Sequence, residues 1–128
     1  FIEEKVKAGK ALGLNEEKAR ELIHRYGGNI DAIYRIIEEE GNVGERYGLP
    51  IDLYAVLRYS IDYELTVTPL DFFLRRTGAL LFNIDFVYEW KTPVIDFLAQ
   101  EFQWTEEVRK AYEKELDDMI AQSTQPSA

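Results

Sequence analysis

Apolar residues recur along most of the chain at the three- and four-residue spacing of an amphipathic helix. Two clear stripes follow one another, at Ala19, Leu22, Ile23 and Tyr26 and then at Ile30, Ile33, Tyr34 and Ile37. Because residues at this spacing share one helix face, the two stripes predict an antiparallel helix pair joined at Gly27 and Gly28. A weaker stripe over residues 2–12 predicts an earlier helix that ends at Gly13.

The later part of the chain repeats the same helical spacing. Residues 41–50 contain three glycines and a proline, which predicts the longest loop and the joint between two helical halves. Helices are then predicted over residues 52–65 and 69–82, and the second of these is apolar on several sides, as expected of a helix enclosed by neighbours. Residues 83–85 predict a break and residues 86–90 a short turn, before two final helices.

Five residues have the position and side chain of helix N-caps. An Asn or Thr before a helical stripe can accept a hydrogen bond from a free backbone N–H of the first turn. The predicted caps are Asn15, Asn29, Thr68, Thr92 and Thr105. Thr68 and Thr92 are each followed by a proline, which suits the first position of a helix.

These elements define the predicted fold class. No stretch alternates apolar and polar residues with the β-branched density of a strand. We therefore expect an all-α fold, a compact orthogonal bundle of about six or seven helices without a sheet. A single domain is predicted over residues 1–122, followed by a frayed tail at 123–128. The chain begins at Phe1 within an apparent helix, so we expect it to be part of a longer protein.

Composition and charge exclude several classes of partner. The 128 residues carry 24 Asp and Glu against 15 Lys and Arg, a formal net charge of −9. Nucleic acid and anionic membrane surfaces are therefore not expected as partners. The chain has no cysteine, which excludes disulfides and agrees with a cytoplasmic location. Its apolar runs are too short for a transmembrane helix.

Most candidate chemistry has a simpler structural explanation. None of the eight glycines forms a dinucleotide or phosphate-binding fingerprint. The single histidine, His24, has no nucleophile pattern beside it, which favours a solvated or capping role. The acidic clusters 38–40 and 117–118 could hold Mg²⁺, but adjacent helical residues point in different directions, so solvated faces are favoured. No metal site is predicted.

The Arg75-Arg76 pair allows two interpretations. Two guanidinium groups on one helix could hold a phosphate or carboxylate by paired hydrogen bonds. Alternatively, the two arginines form structural ion pairs with Asp71, one turn earlier, and with Glu64 or Asp62 on the preceding helix. Glu64 continues the apolar face of that helix and should be half-buried. We favour the ion pairs, because the acids lie close in sequence and the helix is otherwise apolar.

Two long segments resemble a known family. YELTVTPLDFFLRRTGALLF and DFLAQEFQWTEEVRKAYEKEL are similar to the C-terminal helical domain of FAD-dependent glycerol-3-phosphate dehydrogenases, and most to the α-glycerophosphate oxidases. The matching motifs are Arg25-Tyr26-Gly27, Glu64, Pro69 to Leu74, Arg75-Arg76-Thr77 and Gln103-Trp104. Gln103 stands where the family pattern has a glycine, which would weaken the helix stop there.

The resemblance implies a parent flavoenzyme. Such a parent oxidises sn-glycerol 3-phosphate to dihydroxyacetone phosphate and passes electrons from reduced FAD to oxygen, which gives hydrogen peroxide. Its FAD and substrate domains lie upstream, so this chain is expected to hold neither catalytic nor cofactor-binding residues and to pack on those domains. The parent is expected in the cytoplasm, with a peripheral membrane location as an alternative. Homo-oligomer formation stays open.

A second resemblance belongs to a different functional class. Residues 15–40 are similar to the last two helices of ubiquitin-associated three-helix modules, which are protein-binding domains. On this alternative the chain contains an independent binding module. Residues 1–45 should fold on their own if they form an independent module. They should not do so if they are part of a larger helical domain.

Overall fold

A computed structural model describes residues 1–66 and 68–124, with only the backbone described at Thr124. All regular secondary structure in this part of the chain is helical, which confirms the predicted all-α class. The helices are α1 (Ile2–Ala11), α2 (Glu16–Tyr26), α3 (Ile30–Glu45), α4 (Ile51–Glu64), α5 (Pro69–Asp71), α6 (Ala79–Phe82), α7 (Ile84–Glu101) and α8 (Glu106–Thr124). The frayed tail was predicted to begin at residue 123, but α8 continues to Thr124. The rest of the predicted tail lies outside the described residues.

The chain divides into two compact units, Phe1–Tyr63 and Glu64–Ala128. The predicted joint at residues 41–50 is therefore wrong, and α3 continues through Gly41 and Gly44 to Glu45. The reason lies at Gly44, where a Cβ atom would come within 2.7 Å of the Tyr54 Cβ. Glycine at this helical position lets α4 approach α3 closely. The single domain expected over residues 1–122 stays a prediction.

In the first unit, the paired stripes bury their apolar faces as the spacing indicated. Ala19, Leu22 and Ile23 of α2 are buried, and so are their counterparts on α3. Asn15 accepts a hydrogen bond from the Lys18 backbone N–H at 2.7 Å and begins α2. Asn29 directly precedes α3, but the predicted side-chain cap is wrong. Its side chain makes no cap bond, because the 3₁₀ turn Gly27–Asn29 leads directly into α3.

In the second unit, the predicted helix over residues 69–82 is interrupted. α5 passes into one π-helical turn, Phe72–Arg76, which we call the π turn, and the chain then bends at Gly78. Gly78 has φ +68°, a left-handed conformation that glycine adopts without a steric penalty. Leu81 and Phe82 of α6, which follow this bend, are exposed, so the expectation of a helix enclosed by neighbours is wrong for them.

α7 also differs from its prediction. It runs unbroken from Ile84 to Glu101, so Thr92 lies inside it and caps nothing. The cap is Asn83, whose side chain accepts from the Phe86 N–H at 3.3 Å. Pro93 removes one helical hydrogen bond. The helix continues through the proline because the residues on both sides of it are held in the interior, among them Val87, Val94, Ile95, Phe97 and Leu98.

The connection from α7 to α8 is a Schellman-type helix end. The Trp104 N–H donates to the Ala99 carbonyl at 2.9 Å, and the Gln103 N–H donates to the Gln100 carbonyl at 3.3 Å. Gln103 adopts φ +53°, so a glutamine occupies the left-handed position that glycine usually fills. Thr105 then accepts from the Val108 N–H at 3.2 Å and begins α8.

Candidate functional site at Arg75 and Arg76

The segment that holds the two arginines starts at a capped helix N-terminus. The Thr68 Oγ1 accepts a hydrogen bond from the Asp71 backbone N–H at 3.0 Å. Pro69 follows at the first helical position, where its missing N–H costs no hydrogen bond. The Phe72 N–H donates to the Thr68 carbonyl at 3.1 Å. Cap and proline together fix the direction in which the helix begins.

The π turn places the arginines. The Thr77 N–H donates to the Phe72 carbonyl at 2.9 Å, a bond across five residues that inserts one extra residue into the turn. Phe72 and Phe73 are both fully buried, with their rings edge to face at a centroid distance of 5.3 Å. Two consecutive aromatic residues thus reach the interior, and the two arginines that follow are displaced to different surroundings.

Arg76 is bound to the last residue of α4. Its Nη2 donates to the Glu64 backbone carbonyl at 2.9 Å, and its Nη1 lies 3.6 Å from Glu64 Oε2. Both side chains are 30% exposed, so Glu64 is half-buried as the sequence indicated. The Arg76 Nε is buried and has no hydrogen-bond partner among the described residues.

Arg75 has a separate acidic partner and lies mostly in solvent. Its Nε is 3.4 Å from Asp71 Oδ1, one helical turn earlier, and its side chain is 73% exposed. Asp62, the third acid considered for these arginines, instead faces Arg58, with 3.6 Å between Oδ1 and Nη1. The structure therefore brings together Arg75 with Asp71 and Arg76 with Glu64, each arginine facing a different carboxylate.

A cavity of about 310 Å³ lies beside this segment, lined by Thr68, Leu70, Asp71, Leu74, Arg75 and Glu115. Arg76 does not line it. A ligand there would meet one guanidinium and the carboxylates of Asp71 and Glu115. Those carboxylates repel a phosphate, and only one of the two guanidinium groups faces the cavity, so the arrangement is not the paired guanidinium site considered from the sequence. The geometry supports structural ion pairs.

Thr66 is a notable residue that sequence reasoning did not single out. It is fully buried, and its hydroxyl has no partner within the described part of the chain. A buried hydroxyl without a hydrogen bond costs free energy. Nothing in the sequence marks this position, because threonine is a mostly exposed residue and burial is not expected of it. The Asn83 cap was also missed, although Asp85 in the first turn of α7 is a helix-start signal.

The other candidate groups lie apart from one another. His24 is exposed on α2. Glu40 accepts a hydrogen bond from the Tyr54 hydroxyl at 2.9 Å, and Asp117 and Asp118 pair with Lys91 and Lys114. Within residues 1–66 and 68–124, no three His, Cys, Asp or Glu side chains are grouped so that they could hold a metal ion. In the same residues, no helix has the length and apolar character needed to cross a membrane.

Comparisons with known proteins cover nearly the whole chain. A family model described as the C-terminal domain of alpha-glycerophosphate oxidase matches residues 3–109. Aerobic glycerol-3-phosphate dehydrogenase of Bacillus subtilis (strain 168) is 37% identical over 126 residues, which are 98% of this chain and 23% of that protein. The Staphylococcus epidermidis (strain ATCC 12228 / FDA PCI 1200) protein of the same name is 38% identical over 120 residues, 94% of this chain and 21% of that protein.

A solved structure agrees with these matches. The X-ray structure of the glycerol-3-phosphate dehydrogenase from Bacillus halodurans complexed with FAD has a TM-score of 0.91 and 39% sequence identity, and covers 100% of this chain and 26% of that chain. This chain thus spans about a quarter of the length of the relatives that it matches. It belongs to the family of the C-terminal domain of alpha-glycerophosphate oxidase.

Proposed function

We propose that this chain is the non-catalytic C-terminal part of an FAD-dependent enzyme that oxidises sn-glycerol 3-phosphate to dihydroxyacetone phosphate. One observation carries the proposal: a glycerol-3-phosphate dehydrogenase solved with FAD matches the full chain at 39% identity and a TM-score of 0.91. Because the chain covers 26% of that protein, most of the parent lies outside it. The FAD and substrate domains are proposed to lie there, upstream of the family's C-terminal domain.

The contacts in the chain support a structural role. Arg75 and Arg76, the side chains best suited to a phosphate, already face Asp71 and Glu64. The only histidine, His24, is exposed and has no nucleophile beside it in the sequence. We therefore propose that this chain packs on the upstream domains. FAD would bind to those domains, and residues 1–128 would bind no cofactor.

The electron acceptor is the finer part of the proposal. The family description names an oxidase, and oxygen would then be reduced to hydrogen peroxide. The curated relatives carry the name dehydrogenase, which fits transfer to another acceptor. Both names support oxidation of glycerol 3-phosphate. If the full-length protein consumes oxygen and forms hydrogen peroxide, it is an oxidase. If it oxidises glycerol 3-phosphate only with an added quinone or dye, it is a dehydrogenase.

The test compares the full-length parent with residues 1–128 alone. We expect the full-length protein to show the absorbance of bound flavin and to oxidise glycerol 3-phosphate, and the 128 residues to do neither. A fragment that binds FAD or oxidises the substrate overturns the non-catalytic assignment. A full-length protein without flavin and without activity overturns the proposed parent enzyme.

A variant pair separates packing from substrate binding. In the full-length enzyme, Arg75→Ala should leave the KM for glycerol 3-phosphate unchanged, since the guanidinium is exposed and paired with Asp71. Glu115→Ala, which removes another charged side chain that lines the same cavity, is the matched control. A raised KM for Arg75→Ala alone, with unchanged melting temperature, would assign that arginine to phosphate binding.

A cytoplasmic location is proposed for the parent, with association at the membrane surface as the alternative. The absence of cysteine in these 128 residues fits a reducing compartment, and the net charge of −9 disfavours an anionic membrane surface. Fractionation of cells that express the full-length protein distinguishes the two locations. A protein that is recovered with the membranes and is released from them by salt would support the peripheral location.

A further inference from the structure

Three large apolar side chains stand in solvent where α6 meets α7. Leu81 is 65% exposed, Phe82 is 87% exposed and Tyr88 is 54% exposed. We call these three residues the α6–α7 patch. Isolated exposed apolar residues are common on proteins, but a group of large ones on two adjoining helices is typical of an interaction surface.

The exposure of Phe82 follows from local structure. Gly78 bends the chain, and Ala79 and Leu80 occupy the buried side of α6, which leaves the next two residues facing outward. Phe82 also precedes the Asn83 cap, a position from which an apolar side chain commonly packs on the fourth helical residue. That residue, Val87, is fully buried, while the Phe82 ring remains in solvent. The ring is therefore available to a partner.

Two acidic residues lie near Tyr88 on α7, and we call them the acidic rim. Asp85 precedes Tyr88 by three residues on α7, and Glu89 follows it, and both are exposed. No salt bridge between these two acids and another described residue is present in the structure. An apolar centre with a polar rim is the usual composition of a protein interface.

We propose that the α6–α7 patch docks on the upstream, flavin-binding part of the same chain, an inference that rests on the proposed function. The family is described as a C-terminal domain, and the Bacillus subtilis relative is matched over only 23% of its length, so such a parent offers a large surface to cover the patch. The acidic rim predicts an apolar recess flanked by Arg or Lys on the partner surface.

Two other occupants fit the charges less well. An anionic membrane would be repelled by Asp85, Glu89 and the net charge of −9. A second copy of the chain, related by a two-fold axis through the patch, would bring two identical acidic rims together. Like charges facing each other across an interface disfavour that pairing.

The test measures thiol labelling in the full-length, flavin-loaded protein. Residues 1–128 contain no cysteine, so Phe82→Cys and the control Glu107→Cys each give one thiol on an identifiable peptide. Glu107 is exposed in the first turn of α8. We expect Phe82→Cys to react at least about tenfold more slowly than Glu107→Cys, because labelling of a covered site requires local opening. Equal rates overturn the proposal.

Further measurements identify the occupant. In the unmodified full-length protein, hydroxyl-radical oxidation of Phe82 and Tyr88 should be several-fold lower than that of exposed Tyr63, which keeps the test valid if Phe82→Cys folds poorly. Protection that appears only with phosphatidylglycerol vesicles identifies a membrane and overturns the proposal. Protection that is lost on dilution to the monomer identifies a second copy and also overturns it.

Flavin content and glycerol 3-phosphate oxidation are measured on the same preparation. A protected patch in a protein without flavin or activity supports docking within the chain and contradicts the proposed enzyme. An active flavoprotein whose Phe82→Cys is labelled as fast as Glu107→Cys contradicts the docking surface alone.

Discussion

Arg76 donates a hydrogen bond from Nη2 to the backbone carbonyl of Glu64 at 2.9 Å, while its Nη1 lies 3.6 Å from the Glu64 carboxylate. Glu64 is the last residue of α4, where backbone carbonyls lack helical partners and a negative side chain is unfavourable. One guanidinium offsets both costs. Arg76 therefore caps the Glu64 carbonyl, at the C-terminal residue of α4.

Arg76→Ala should lower the free energy of unfolding by about 1–2 kcal/mol, because it removes a charged hydrogen bond to a half-buried carbonyl. Arg75→Ala should change it by less than about 0.5 kcal/mol, since an exposed ion pair contributes little. Urea denaturation of the two variants measures the difference.

Glu64→Gln is the control for the source of this stability. It keeps the backbone carbonyl that accepts from Arg76 and loses only the carboxylate 3.6 Å away. Its effect should therefore be smaller than that of Arg76→Ala. Equal losses for Arg75→Ala and Arg76→Ala would contradict the different surroundings of the two arginines.

Two glycines of α3 should respond in opposite directions to alanine. A Cβ at Gly44 would lie 2.7 Å from Tyr54 Cβ and 2.9 Å from its Cγ, and Tyr54 is fully buried and cannot move away. We expect Gly44→Ala to destabilise the chain by about 1–3 kcal/mol through overpacking. A Cβ at Gly41 meets no described atom within 4 Å, so Gly41→Ala should stabilise it by about 0.5–1 kcal/mol.

Thermal melting followed by circular dichroism compares the two substitutions directly, since both add the same methyl group to the same helix. A stabilising Gly44→Ala would show that α3 and α4 are not in close contact at this position. A destabilising Gly41→Ala would show that α3 does not continue as a helix to Glu45.

Sequence periodicity predicted the elements that bury a regular stripe. Ala19, Leu22 and Ile23 are three and four residues apart, and that spacing alone defines the buried face of α2. Asn15 before Glu16 and Glu17 likewise carries a local start signal. Such features depend on neighbours in sequence, which is why they could be found without a structure.

The misread positions depend on tertiary contacts. Gly44 belongs to a glycine-rich stretch that is typical of a loop, but it lies in a helix. Glycine is needed there because the Tyr54 side chain occupies the space that a Cβ atom would fill. Pro93 has the form of a helix start, but buried residues on both sides hold it in the interior of α7. Arg76, and not Arg75, pairs with Glu64 because the extra residue of the π turn changes the direction of the side chains that follow it. The sequence contains no pattern that predicts a π turn at this position.

Gln103→Gly should stabilise the end of α7. Gln103 has φ +53°, where an L side chain is strained and glycine is not. We expect the free energy of unfolding to rise by about 0.5–1 kcal/mol, after allowing for the greater chain entropy of glycine in the unfolded state. Gln103→Ala keeps the strain and serves as the control, with little change expected in urea denaturation. Equal gains for both variants would assign the effect to the lost amide side chain.

Tyr34 should make stability depend on pH in the alkaline range. Its hydroxyl donates to the Lys5 backbone carbonyl at 2.7 Å. Burial raises the pKa of this hydroxyl above its ordinary value of 10.0, and the negative charge of Asp31 adds to the effect. The folded state therefore retains the proton at a pH where the unfolded state has begun to release it.

Tyr34→Phe should cost about 1 kcal/mol at neutral pH through loss of the hydrogen bond to Lys5. The contribution of Tyr34 is fully present below pH 10.0 and is lost as the pH rises from there through the raised pKa of the folded state. The difference in unfolding free energy between the unmodified chain and Tyr34→Phe should thus be constant from pH 7 to 9 and shrink above pH 10, as measured by urea denaturation. Other titrating groups are common to both chains and cancel. A difference that stays constant through the alkaline range would show that the hydroxyl titrates alike in the folded and unfolded states, and would contradict its burial against α1.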